Sequence, residues 1–152
     1  MPEKKVHVAP WECVYPKENE GVCLPGRPPK SDREYFEIMC LCVLQAGLSW
    51  RAIRKNWERL KRAYFGFDYE VLAEKEPKEL MERPGAIRYA RKNEAIVHNA
   101  RVFKRIVEEY GSFSAYLAKF KSEKEAVKEL AKIFKHLGEY SAEYFLHSVG
   151  YV

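Results

Sequence analysis

The 152-residue chain has no threonine, a single glutamine (Gln45) and few asparagines, against 27 Lys+Arg and 22 Asp+Glu. Such replacement of neutral polar side chains by charge is typical of heat-loving organisms. No apolar run approaches the roughly 20 residues of a membrane-spanning helix, so a membrane partner is not expected. The opening MPEKKVHVAPWE lacks the apolar stretch of a secretory signal, and a soluble cytoplasmic protein is the expectation. No CxxC or HxxxH spacing occurs, which argues against a closed zinc site. Strand-like alternation, internal repeats and low-complexity segments are likewise missing. What is present is a hydrophobic content of 47%, too high for a disordered chain. The length suits one domain with a substantial core.

The net charge of +5 permits a polyanionic partner but is equally that of a solvated, salt-bridged surface. Four cysteines fall at 13, 23, 40 and 42. Cys13 and Cys23 flank a loop and could bridge. Cys40 and Cys42, two apart on a helix, point to different faces and should not pair.

Residues 1–30 hold prolines at 2, 10, 16, 25, 28 and 29 and read as a loop-rich arm laid over the domain. From Ser31 to Val152 the pattern is helical. Ser31 with Glu34 is a capping box that opens a helix ending near Gly47. Ser49 looks like the N-cap of WRAIRKNWERLKRAYF, read as one helix. Asp68 caps a short helix over 69–75. EPKELMER is another, stopped by Pro84-Gly85. Residues 89–110 form a long amphipathic helix burying Ala95, Ile96, Ala100, Phe103, Ile106 and Val107. Residues 114–121 make a short helix. Ser122 with Glu125 is a second capping box, opening a helix to about His136, and a last helix runs from about Tyr140 to Val149. The expectation is an all-α domain of roughly eight helices.

Two stretches carry possible chemistry. Residues 124–150 place the tight link HLGEY between two apolar-periodic helices, as in a helix-hairpin-helix. There the backbone N–H groups of the hairpin and of the second helix's first turn face a DNA phosphate. Lys132, Lys135 and His136 add positive charge, and Gly138 would admit a close backbone approach. An ordinary helical hairpin has the same pattern. In FEIMCLCVLQAGLSW, residues 36–50, Met39, Cys42 and Ala46 share a helix face, with Trp50 just past the turn. Trp50 is either a stacking plate for a flat ligand or plain core. Base–aromatic stacking contributes about 1–3 kcal/mol per base.

Taken with PGAIRYARKNEAIVHNA (84–100) and FKHLGEYSAEYFLHSVG (134–150), that run resembles the DNA-3-methyladenine glycosylase I family, of the helix-hairpin-helix superfamily. The resemblance covers residues 31–150 in order, with QAGLSW the most specific segment. It implies a base-excision hydrolase that flips an alkylated purine from double-stranded DNA and cleaves its N-glycosidic bond. It further implies a monomer that needs no cofactor. A base pocket of Trp50, Cys42, Gln45, Tyr15 and Trp11 follows from it. So does a DNA contact at Lys135, His136, Leu137, Gly138, Glu139 and Tyr140. A non-catalytic DNA-binding or damage-sensing protein on the same fold is the alternative.

Three departures from the family qualify this. Cys42 stands where the family has a carboxylate against the edge of the extruded base, and a thiol cannot balance a cationic base. The ligands of the family's zinc site lack counterparts, so no metal is expected. The Asp that related glycosylases place past the hairpin has no counterpart, and the catalytic residue is therefore unassigned. Glu12, Glu18, Glu20 and Glu37 are candidates for activating water. Cys42 as a nucleophile is disfavoured, because a thiol on an apolar face is inert.

Overall fold

The computed structural model describes residues 29–45 and 50–151, and of these the side chains of Gln45, Trp50, Arg51 and Arg54 are left aside. Among the described residues the chain forms nine α-helices and one 3-10 turn. They are α1 (Asp32–Gln45), α2 (Trp50–Lys55), α3 (Trp57–Ala63), α4 (Tyr69–Leu72) and α5 (Pro77–Met81), then α6 (Ala90–Tyr110), α7 (Phe113–Ala118), α8 (Glu123–Ile133) and α9 (Glu139–Ser148). No strand occurs among them.

The two capping boxes form as read, with one variation. Ser31 Oγ accepts from Glu34 N–H at 3.2 Å, and Ser122 Oγ accepts from Glu125 N–H at 3.1 Å. Each glutamate then reaches one residue further back than the serine. Glu34 accepts from Lys30 N–H, and Glu125 from Lys121 N–H. Asp68 caps α4 through Glu70 N–H at 3.0 Å, and Gly111 ends α6 with φ 86°, the left-handed conformation glycine favours.

WRAIRKNWERLKRAYF is a correction, since it forms two helices and not one. The break falls at Asn56, whose side-chain amide donates back to the Ala52 carbonyl at 2.9 Å, a competing bond of the kind that interrupts helices.

Helix α1 carries the most continuous apolar sequence of the chain's helices and is enclosed accordingly. From Tyr35 to Leu44 only Glu37 is not buried, as expected of a helix enclosed on all sides. It packs against α6 and α9. Phe36 meets Phe103 edge-on at 5.2 Å, and Phe103 stacks on Phe113 at 4.4 Å, so α1, α6 and α7 share one aromatic core. Cys40 and Cys42 are both free thiols within it.

Candidate functional site: the hairpin and the end of the central helix

Helix α8 ends at Ile133, and α9 restarts at Glu139. The five intervening residues are held from below by α6. Asn99, 1% exposed, donates from Nδ2 to the Lys135 carbonyl at 3.0 Å. Its Oδ1 accepts from Lys135 N–H at 2.8 Å. One amide thus satisfies both main-chain groups of Lys135, as a neighbouring strand would. The preceding residue, His98, makes a hydrogen bond between Nε2 and the Ile133 carbonyl at 3.1 Å.

His136 follows with φ 56°, a left-handed conformation that costs a non-glycine residue about 1–2 kcal/mol. Leu137 is 1% exposed and anchors the turn in the core. Gly138 is not where the unusual backbone lies. Its φ of −66° is open to any residue, and a Cβ there would meet nothing within 4 Å. As N-cap of α9 it offers no side-chain cap, so the N–H groups of the first turn of α9 lack an intrahelical or capping acceptor. Lys132, Lys135, His136 and Glu139 are exposed around this end, and Tyr140 is 69% exposed. Lys132, Lys135 and His136 form no ion pair among the described residues.

The second feature lies at the C-terminus of α1, directly before AGLSW. That helix has no basic residue in its last turn. Lys92 of α6 supplies the charge instead, with Nζ 2.7 Å from the Leu44 carbonyl. Lys92 is 5% exposed, and burial lowers its pKa from the ordinary lysine value. Lys92 is thus drawn inward, unlike its neighbours Arg88 and Arg91. Those two arginines are exposed.

Asn93, fully buried on the same helix, fixes the GAIR loop. Its Oδ1 accepts from the Tyr64 hydroxyl at 2.9 Å, and its Nδ2 donates to the Ile87 carbonyl at 2.7 Å. Ile87 N–H donates back to the Tyr64 oxygen at 3.1 Å. Burial pushes the Tyr64 phenol up to about 12. Beside this loop a cleft is lined by Ala52 and Ile53 of α2, Asn56, Arg59 and Gly85–Ile87. Sequence reasoning missed Asn93, Asn99 and His98. The available signal was two asparagines, in a chain with few, falling at the spacing of the buried positions 96, 100 and 103.

Of the pocket residues expected from the resemblance, Tyr15 and Trp11 lie outside the described residues. Trp50 opens α2, and Gln45 closes α1. Cys42 is 2% exposed, and desolvation drives its thiol pKa upward, which disfavours the thiolate a nucleophile needs. Glu12, Glu18 and Glu20 are also outside the described residues. Glu37 is engaged elsewhere, accepting from Trp57 Nε1 and pairing with Lys61, each at 3.3 Å. The Cys13–Cys23 pair lies outside as well. One group of metal-capable donors occurs among the described residues, Glu123, Glu143 and His147. There a 2.6 Å hydrogen bond between His147 Nε2 and Glu123 Oε1 joins the start of α8 to the end of α9.

An all-helical fold with this hairpin is that of a helix-hairpin-helix DNA glycosylase. The chain belongs to the methyladenine glycosylase family, whose model matches residues 25–143. The DNA-3-methyladenine glycosylase of Haemophilus influenzae is 32% identical over 108 residues, covering 69% of this chain and 58% of that protein. DNA-3-methyladenine glycosylase 1 of Escherichia coli is 33% identical over 81 residues, 51% of this chain and 43% of its own. The chain thus spans about half the length of the curated relatives it matches. The solved 3-methyladenine DNA glycosylase I of Staphylococcus aureus superposes with a TM-score of 0.73 at 27% identity, covering 84% of this chain and 81% of that one.

Proposed function

We propose that this chain is a DNA glycosylase of base excision repair that removes alkylated purines, 3-methyladenine foremost, from double-stranded DNA. The observation that carries the reading is the hairpin held by α6, whose first-turn N–H groups and exposed Lys132 and Lys135 suit a phosphate. It sits in a chain of the methyladenine glycosylase family. Lys135, His136, Leu137, Gly138, Glu139 and Tyr140 form the DNA contact, Leu137 through its backbone. Trp50, Gln45, Tyr15 and Trp11 surround the extruded base, with Cys42 beneath. The loop-rich arm expected over residues 1–30 lies almost wholly outside the described residues. The protein acts as a monomer in the cytoplasm.

The chemistry asks little of a general base. A 3-alkylated adenine carries a positive charge. When its bond to C1′ breaks, the bonding pair neutralises the ring and 3-methyladenine leaves. Water adds at C1′ and loses a proton. Binding, stacking and exclusion of bulk water then supply the acceleration. A neutral, buried Cys42 fits this division of labour, because it neither attacks nor needs a proton.

The second reading, a damage-sensing protein without catalysis, is favoured by that same thiol in place of a carboxylate. Chromatography of bases freed from alkylated duplex DNA separates the two. Lesion-selective binding with no freed base would select the sensor.

A further inference from the structure

We infer that Asn99, a residue only 1% exposed, sets the phosphate-binding geometry of the hairpin from beneath. The inference rests on the glycosylase reading above and names the residue that makes its DNA contact competent. Asn99 lies in mid-α6, 36 residues before Lys135 in sequence, and its amide clasps both main-chain groups of that residue. Directly after the clasp comes His136, in a left-handed conformation that a histidine holds only when its surroundings enforce it. The enforcement has three points. His98 meets Ile133 ahead of the turn, Asn99 meets Lys135 within it, and Leu137 plugs the core beyond it. The N–H groups at the start of α9 are therefore aimed before any DNA arrives. An anion site aimed in advance binds more tightly because no ordering cost remains.

Removing the amide should free the turn without removing any residue of the proposed base pocket, whose Gln45 and Trp50 belong to the end of α1 and the start of α2. The experiment compares wild type with Asn99→Ala and Asn99→Asp. Asp keeps the acceptor for Lys135 N–H but sets a second oxygen against the Lys135 carbonyl. Undamaged duplex binding is measured by anisotropy over a range of salt, and binding of free 3-methyladenine by intrinsic fluorescence.

The expected result is a loss of duplex affinity of tenfold or more in both variants. The loss should persist across the salt range, because the donors that lose their aim are neutral N–H groups and not cations that displace counterions. Free 3-methyladenine should bind as it does to wild type. Parallel loss of duplex and free-base binding would overturn the inference, because Asn99 would then be a general fold residue. Failure of both variants to fold would do the same. Unchanged duplex binding in the variants would overturn it while leaving the glycosylase reading intact. A wild-type protein that does not bind duplex DNA would overturn both.

Discussion

The ammonium of Lys92 lies 2.7 Å from the carbonyl of Leu44, 48 residues earlier in the chain. This contact joins the first third of α6 to the last turn of α1, where the QAGLSW segment begins. Further along, α6 holds the hairpin through His98 and Asn99. One 21-residue helix thereby fixes the spacing between the end of α1 and the turn that joins α8 to α9.

Lys92→Met should strip α1 of its C-terminal cation and leave the Leu44 carbonyl without that donor. A stability loss of about 1–3 kcal/mol is expected in urea unfolding at pH 7. The sign with pH is also fixed. The folded-state pKa of Lys92 is depressed, so the unfolded chain binds the extra proton. Wild type should gain on the variant as pH rises from that lowered value toward the ordinary lysine value of 10.5, and a gap that narrows instead would contradict the assignment.

Tyr64→Phe removes the hydroxyl that joins Asn93 to the Ile87 amide. A loss of about 1–3 kcal/mol at neutral pH follows from the unpaired buried groups. The Tyr64 pKa is raised in the folded state, so its contribution is complete below pH 10 and fades as pH climbs toward about 12. Urea midpoints of the two proteins should converge above pH 10. A constant difference would show that the phenol is not the titrating group.

Gly138→Ala separates folding from binding. Its backbone suits alanine and the added methyl meets no protein atom, so stability should change by less than about 1 kcal/mol. The same methyl would stand between the start of α9 and a phosphate. Duplex affinity should fall tenfold or more, read by anisotropy against an unchanged melting temperature. Retained affinity would move the DNA contact away from Gly138.

The buried thiols give a chemical test. Cys40 and Cys42 should resist iodoacetamide at pH 8 in the folded protein and react on denaturation, as mass spectrometry of the peptides would report. Cys42→Ser should keep base release within a few fold. Abolished release in a folded Cys42→Ser protein would mean that the thiol takes part in the chemistry.

Much of this architecture was legible in the residues. Helical periodicity and the serine, aspartate and glycine caps located α1, α4 and α6 to α9 to within a few residues. The break at Asn56 was not legible, because whether an asparagine back-bonds or faces solvent depends on its neighbours in space. The burial of Lys92 was not legible for a related reason. A lysine in the first turn of a helix reads as surface unless the carbonyls of another helix, far away in sequence, require it. The hairpin was found from its length and Gly138, yet the strained position is His136, and the clasp that holds it comes from Asn99. The side chains of Trp50 and Gln45, with Tyr15 and Trp11, lie outside the described residues, so the base pocket rests on the resemblance and on Trp50→Ala. That substitution should abolish preference for a lesion while sparing nonspecific DNA affinity.

The most direct measurement is the rate at which 3-methyladenine appears in solution when methylated duplex DNA is incubated with the protein. Release well above the spontaneous rate, saturating with protein and lost in Trp50→Ala, is the predicted result. Release at the spontaneous rate, from protein shown to be folded and bound to the duplex, would contradict the assignment as a glycosylase.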